Sequence, residues 1–206
     1  MKVILVNGSS RPAGCTARAL KEVEKWLNAE GVETQNFFIG NQPIADCTAC
    51  MSCRKTGKCV FNDKVNEFTA LAREADGFVF GSPVYYAHPS GRLMSFMDRA
   101  FYSAGSAFMF KPAAAVFSAR RAGSVTSMDV VNKHFSICSM PIISSTYWNH
   151  VFGKEPAEVE QDAEGLTTMK NIALNMAWIL KCIECGNSAG ILRPENEKVL
   201  TNFFRA

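Results

Sequence analysis

The chain has 206 residues, 48% of them hydrophobic and 20% charged, with a formal net charge of +3. That balance supports a substantial buried core and excludes a disordered chain. So small a charge excludes nucleic acid as the partner that its electrostatics select.

Lys2-Val3-Ile4-Leu5-Val6-Asn7 is apolar and rich in β-branched residues, a strand fit for the middle of a buried sheet. Its apolar run, Val3 to Val6, is too short for a signal peptide, and no stretch is long and apolar enough to span a membrane, so a cytoplasmic protein without membrane contact is expected. Gly8-Ser9-Ser10-Arg11-Pro12-Ala13-Gly14 reads as a turn, and a helix follows from Gly14–Cys15 to about Ala29. Leu20, Val23 and Leu27 mark its buried face. A strand that passes through such a loop into a helix leaves backbone N–H groups converging at the positive end of the helix dipole. Ser9, Ser10 and Thr16 add hydroxyls, and Arg11 adds a forked cation. Glycines at 8 and 14 make no G-x-G-x-x-G, and no Gly-Lys-Ser/Thr closes the loop. The chemistry suits one terminal phosphomonoester better than a pyrophosphate; an ordinary polar connection is the other reading.

Val32 to Ile39 is a second strand, and Gly40 to Asn62 is irregular and carries Cys47, Cys50, Cys53 and Cys59. Asn62 or Asp63 caps a helix with Val65, Phe68 and Leu71 inward, stopped by Gly77. Phe78-Val79-Phe80 is a third strand, and Gly81 to Pro89 a loop punctuated by glycine and two prolines. Ser90 caps a helix with Leu93, Phe96, Met97, Ala100 and Phe101 inward. Pro112 to Ser118 is a fourth strand, followed by the basic turn Arg120-Arg121-Ala122-Gly123-Ser124 and a helix through Met128–His134. Met140 to Thr146 is expected as the fifth strand, Lys154 to Asp162 as a charged connection, and Asp162 to Cys185 as a long helix.

Alternating strands and helices predict a single α/β domain over residues 1–206: a three-layer fold with a five-stranded parallel sheet in the order 2-1-3-4-5. Ligands then bind beyond the C-terminal strand ends, where loops 8–16, 81–90 and 118–124 come together. Eight cysteines is a high count, and four of them fall between Cys47 and Cys59. In a reducing compartment that clustering reads as metal or redox chemistry before disulfides.

Gly8-Ser9-Ser10-Arg11 with Gly14-Cys15-Thr16 resembles the phosphate loop of the flavodoxin-like NAD(P)H-dependent FMN reductase family. Gly81-Ser82-Pro83-Val84-Tyr85 resembles its flavin-ring loop, and Asp162-Ala163-Glu164-Gly165 is also similar to the family. Two positions depart from the family pattern: Cys15 stands where Asn is common, and Ser10 where Pro is frequent. The resemblance implies an FMN phosphate held by Ser9, Ser10, Arg11, Cys15, Thr16 and Ala17. It implies a flavin ring against Ser82, Pro83, Val84, Tyr85 and Tyr86. Ser118, Arg120, Arg121 and Gly123 would complete the site, the arginines on the N1–C2 carbonyl side, where a cation favours reduced flavin. No catalytic acid or base is implied.

Within that family, the spacing C-x2-C-x2-C-x5-C over residues 46–60 resembles the compact motif of the iron–sulfur flavoproteins. Three thiolates two residues apart can wrap one face of a 4Fe–4S cubane, and a fourth closes it. Zinc fits less well, because structural zinc sites usually pair cysteines across a long spacer; free or disulfide-forming thiols remain a third reading. Cys138, Cys182 and Cys185 read as buried structural cysteines. Tyr147, Trp148 and Asn149 form a cluster that covers either the flavin or a subunit contact. The implied activity passes electrons from NADH or NADPH through FMN to a quinone, a small oxidant or a ferredoxin-like carrier, in a homodimer or homotetramer. Two alternatives stand beside it: a carrier flavoprotein without its own NAD(P)H turnover, and a zinc-binding structural or regulatory domain.

Overall fold

The computed structural model describes residues 1–197 and 199. Five parallel strands, β1 (Lys2–Asn7), β2 (Glu33–Phe38), β3 (Gly77–Tyr85), β5 (Ala113–Ala119) and β6 (His150–Phe152), lie in the order β2-β1-β3-β5-β6. A sixth, two-residue strand, β4 (His88–Pro89), pairs antiparallel with the end of β3. Helices α1 (Cys15–Ala29), α6 (Pro156–Val159) and α7 (Ala163–Ser188) lie in the chain with α2 (Ser52–Thr56), α3 (Lys64–Glu74), α4 (Gly91–Ala104) and α5 (Ser124–Ile137).

Strand alternation divides the core between the two sheet faces. Val3, Leu5, Val79, Ala114 and Val116 point toward α1 and α7, where they meet Leu20, Val23, Met169, Ile172 and Met176. Ile4, Val6, Phe78, Phe80 and Phe117 point the other way, onto Phe68, Leu93, Phe96 and Phe135 of α3, α4 and α5. Phe68 is the hub of that second layer, with Phe37, Phe78, Phe80, Phe96 and Phe108 all within 6.1 Å of its ring centroid. Two helix caps follow the sequence reading, Asp63 accepting from Val65 N and Ser90 from Leu93 N; Asp162, expected as the first residue of the last helix, instead caps it by accepting from Gly165 N.

Three expectations are corrected. The fifth parallel strand is His150–Phe152, not Met140–Thr146. Residues 140–146 keep a single bridge, Ala113 to Ile142. Pro141 has no N–H to extend the ladder, and the hydroxyl of Ser145 bonds locally to Tyr147 O and Asn149 Oδ1 instead. Asn149 Nδ2 closes the excursion on Ile143 O at 3.2 Å. Tyr147, Trp148 and Asn149 therefore precede the last strand.

The second correction concerns the loop expected at 81–89. Ser82 and Pro83 continue the parallel ladder opposite Phe117 and Ser118, and Val84 and Tyr85 turn back through a hairpin onto Pro89 and His88. β1 ends opposite Gly81, so one flank of β3 is an edge at Pro83, where a proline is tolerated. The third concerns Cys182 and Cys185, which are exposed on α7, whereas Cys138 is buried. Smaller differences are a longer α5, the short helix α2 within the cysteine segment, and the one-turn helix α6 within the charged connection. Among the described residues no helix is long and apolar enough to cross a membrane.

Candidate functional site

Loops 8–14, 82–89 and 120–123 meet at the C-terminal edge of the sheet, and buried polar contacts lock them together. Gly8 N donates to Gly81 O at 2.8 Å, and Ser90 Oγ donates to Gly8 O at 2.9 Å. Ser90 N in turn donates to Ser82 Oγ, which donates to Pro83 O. Thr16 and Ser118 share a buried hydrogen bond of 2.8 Å. Gly81 permits this fit, because a Cβ there would lie 2.8 Å from Thr16 Cγ2 and 2.9 Å from Leu20 Cδ1.

The phosphate-type loop is ordered from within. Ser9 N donates to Asn7 Oδ1 and Arg11 N donates to Ser9 Oγ, both at 3.0 Å. Asn7 Nδ2 reaches Pro12 O. Cys15 Sγ donates to Gly153 O at 3.6 Å, and burial pushes its thiol above the ordinary range. The first-turn amides of α1, on Cys15, Thr16 and Ala17, have no intrahelical acceptor. Gly14 at the cap position has no side chain to serve them, and the first turn holds no acid. Helix α5 begins the same way, at Gly123, without a side-chain cap or a first-turn acid. α3, α4 and α7 each carry their own capping oxygen. Among the described helices longer than two turns, the two without a side-chain cap are those that start in loops 8–14 and 120–123, so both leave donors open to an anion at this edge.

The hairpin forms the other wall. Tyr86 and Ala87 both have positive φ, 51° and 57°, the handedness of a type I′ turn that glycine and asparagine normally supply. Thr126 Oγ1 donates to Ala87 O at 2.8 Å, and Gly123, at φ +93°, lies so close that a Cβ would be 2.5 Å from Ala87 Cα. Two residues are thus held in a costly conformation, with Tyr85 half exposed and Tyr86 wholly so. Arg11 and Arg121 are exposed beside the mouth. Arg120 instead lines an open hollow of about 330 Å³ with Phe152, Gly153, Glu158, Gln161 and Asp162. Trp148 and Tyr147 stack edge to face at 4.6 Å, both partly exposed, ahead of His150.

The cysteine segment forms a separate hollow against α4. Cys47, Cys50, Cys53 and Cys59 all line it, with Arg99 and Tyr102. Its volume, about 20 Å³, admits a water-sized group. Ala49 and Met51 take left-handed backbone conformations around Cys50. A hydrogen bond from Ser52 pulls the Cys50 thiol below its ordinary range. The thiols share one hollow but are not closed upon one another: among the described residues no three Cys, His, Asp or Glu side chains are placed to hold a metal ion.

Residues 1–154 match the family described as NADPH-dependent FMN reductase. The chain belongs to the NADPH-dependent FMN reductase family. An iron-sulfur flavoprotein of Methanocaldococcus jannaschii is 32% identical over 192 residues, covering 89% of this chain and all of that one. An iron-sulfur flavoprotein of Methanosarcina thermophila is 26% identical over 188 residues, covering 89% and 97% of the two chains. A solved flavodoxin from the domain Archaea superposes with a TM-score of 0.60 at 16% identity, over 88% of this chain and 99% of that one. The fold is flavodoxin-like, as expected, with the hairpin strand added.

This FMN reductase family member carries Ser9, Ser10, Arg11, Cys15, Thr16 and Ala17 on the loop after β1 and the first turn of α1, Pro83, Val84, Tyr85 and Tyr86 on the end of β3 and its hairpin, and Arg121 and Gly123 on the turn before α5, three segments in mutual contact. The hydroxyls of Thr16, Ser82 and Ser118 are engaged within the protein. The open donors, with no competing first-turn carboxylate, fit the phosphate of FMN. The cysteine hollow is lined by four thiols and by neither carboxylate nor imidazole, a soft donor set whose chemistry suits an iron–sulfur cluster or zinc, although the thiols as placed close around neither. Sequence reasoning missed Asn7 and Ser90 as organisers of the mouth, and Arg99 as a wall of the cysteine hollow. Arg99 did carry a signal: an arginine amid the apolar face of α4, with Ser95 and Ser103 rather than acids one turn either side.

Proposed function

We propose that this chain is an FMN-dependent oxidoreductase that takes electrons from NADH or NADPH and delivers them to a quinone, a small oxidant or a ferredoxin-like carrier. Its companion centre, a 4Fe–4S cluster on Cys47, Cys50, Cys53 and Cys59, would relay them singly. The observation that carries the reading is the pairing of an uncapped, acid-free helix start with a strained aromatic hairpin across one mouth. One holds a phosphate and the other walls a flat ring.

FMN, when bound, supplies the chemistry by accepting two electrons from the nicotinamide and releasing them to the acceptor. The chain supplies placement. The amides of Cys15, Thr16 and Ala17 and the guanidinium of Arg11 hold the phosphate dianion. Pro83, Val84 and Tyr85 wall the ring, and Tyr86 projects where a nicotinamide or a partner surface approaches. Arg121 and the amides that open α5 place positive potential beside the ring, which favours the reduced cofactor. Seating a cubane requires the exposed 47–53 arm to move outward from the narrow hollow. The 32% identity to an iron-sulfur flavoprotein supports the cluster over zinc. A homodimer or homotetramer that covers Tyr147 and Trp148 goes with this reading.

Anaerobic purification, an absorption spectrum, and iron and sulfide analysis test it, followed by NADPH and NADH consumption with a quinone. Flavin bands with iron, sulfide and turnover are the expected result. Flavin without turnover identifies a carrier, and colourless protein with zinc overturns the oxidoreductase reading.

A further inference from the structure

Arg99 is 1% exposed, and a buried cation costs several kcal/mol unless it is fully paired. Every N–H of its guanidinium has a partner. Nη1 donates to Asp63 Oδ2 at 2.7 Å and to Ala45 O at 3.2 Å; Nη2 donates to Asp63 Oδ1 at 2.9 Å and to Phe61 O at 3.4 Å. The remaining donor, Nε–H, points at Cys59 Sγ, 3.2 Å away. The guanidinium also lies over the Phe61 ring, 4.8 Å from its centroid. Asp63 is itself fixed, since Oδ1 accepts from Val65 N as the cap of α3. The fork to Asp63 therefore sets the plane that aims Nε at sulfur. One turn along α4, Tyr102 OH donates to Met51 Sδ at 3.1 Å, also on the rim of the cysteine hollow. The same helix begins at Ser90, which is bonded to Gly8 O in the flavin mouth. Nine residues separate Ser90 from Arg99, about 14 Å along the axis.

We propose that Arg99 is the positioning residue of the cysteine centre: its Nε–H fixes Cys59 Sγ as a ligand, and its charge favours the reduced, more negative state of the cluster. The inference rests on the cluster reading above. A hydrogen bond to a ligating sulfur and a nearby fixed cation both raise a cluster's reduction potential. A plain clamp for the cysteine arm needs only the bonds to Asp63, Ala45 and Phe61. It gives no reason for a donor to be spent on sulfur.

The test uses the full chain, reconstituted anaerobically with FMN, iron and sulfide, with the cluster's midpoint potential read by EPR-monitored titration. Arg99→Lys keeps one charge but cannot serve the carboxylate and the sulfur together. Its reduced-to-oxidised ratio at fixed potential is expected to fall about tenfold, a shift of about 59 mV downward for one electron. Asp63→Asn keeps Oδ1 for the helix cap and for Nη2, puts an NH2 donor in place of the Oδ2 that accepts from Nη1, and removes the negative charge; with Nε still on Cys59 Sγ, its potential is expected to rise. Opposite signs support the proposal. An unchanged potential in Arg99→Lys, or shifts of the same sign in both variants, reduces Arg99 to a clamp and overturns it. If Arg99→Lys retains no cluster, Asp63→Asn decides alone, and a fall or no change overturns it. Wild-type protein that takes up no iron or sulfide brings down the cluster reading and this proposal with it. That failure is visible before any variant is made.

Discussion

The hydroxyls of Thr16 and Ser118 lie 2.8 Å apart in the buried seam between the first turn of α1 and the end of β5. The contact joins segments 102 residues apart and fixes the phosphate-type loop relative to the basic turn after β5. Removing one hydroxyl strands the other in a dry site, at a cost of about 1–3 kcal/mol. Removing both restores part of that loss. Thr16→Val and Ser118→Ala are each expected to lower unfolding stability by that amount, and the double variant by clearly less than the sum. A coupling of about 1 kcal/mol in a denaturant double-mutant cycle is the expected reading; strict additivity would mean that the two hydroxyls do not meet in solution.

Three glycines separate the cost of contact from the cost of backbone conformation. Gly81→Ala meets Thr16 and Leu20 at 2.8 and 2.9 Å, and Gly123→Ala meets backbone at 2.5 Å while also holding φ at +93°. Gly57→Ala has a positive φ but nothing within 4 Å. The Gly57 variant is expected to lose about 1–2 kcal/mol, the left-handed penalty alone. The Gly123 variant is expected to lose more than that, and to weaken FMN binding because the 86–87 turn is displaced. Gly81→Ala is expected to lose about 1–3 kcal/mol through overpacking. Thermal melts with and without FMN check all three, and a Gly123 variant no worse than the Gly57 variant would contradict the packed turn.

Sequence was informative wherever a local signal set the structure. The run Val3–Val6, the caps Asp63 and Ser90, and the punctuation at Gly8–Gly14 placed the strand order and the mouth. It misled where long-range pairing decided the outcome. Ile142 and Ile143 have strand composition, but Pro141 and Ser145 divert the chain, and the last strand forms at His150–Phe152. Gly81-Ser82-Pro83 has loop composition, yet β5 on one flank holds it in the ladder. Composition also placed Cys182 and Cys185 inside, whereas α7 turns both outward. The partner of Arg99 was out of reach of any local pattern, because Asp63 lies 36 residues away.

His150 is buried at the start of β6, with Nδ1 2.7 Å from Ser124 Oγ at the first residue of α5. Burial pushes its imidazole below the ordinary value of 6.5, with Asp162 and Glu164 only partly opposing. The unfolded chain therefore binds this proton more readily than the native one. The contribution to stability is complete above about pH 6.5 and is lost as pH falls below it toward the native value, at no more than about 1.4 kcal/mol per pH unit. His150→Asn keeps a hydrogen-bonding side chain without the titration. Wild type is expected to lose more stability than this variant between pH 7.5 and pH 5, measured by urea unfolding. Parallel losses would show that the imidazole charges freely in the folded protein.

Arg11 offers the sharpest separation between gripping a phosphate and shaping a loop. Its amide already shapes the loop by donating to Ser9 Oγ, and its side chain is exposed at the mouth. A charge-assisted contact to a phosphate dianion contributes about 1.5–3 kcal/mol, roughly a 10- to 100-fold effect on affinity. Riboflavin, which carries the same ring without the phosphate, gains nothing from that contact. Arg11→Ala is expected to weaken FMN binding by at least tenfold and to leave riboflavin binding unchanged, so discrimination between the two collapses. Arg11→Lys is expected to recover part of it, because a point charge lacks the fork that matches phosphate geometry. Fluorescence titrations with both ligands, at two salt concentrations, check this directly. An equal loss for FMN and riboflavin would assign Arg11 to loop geometry and leave the phosphate to the amides of Cys15, Thr16 and Ala17.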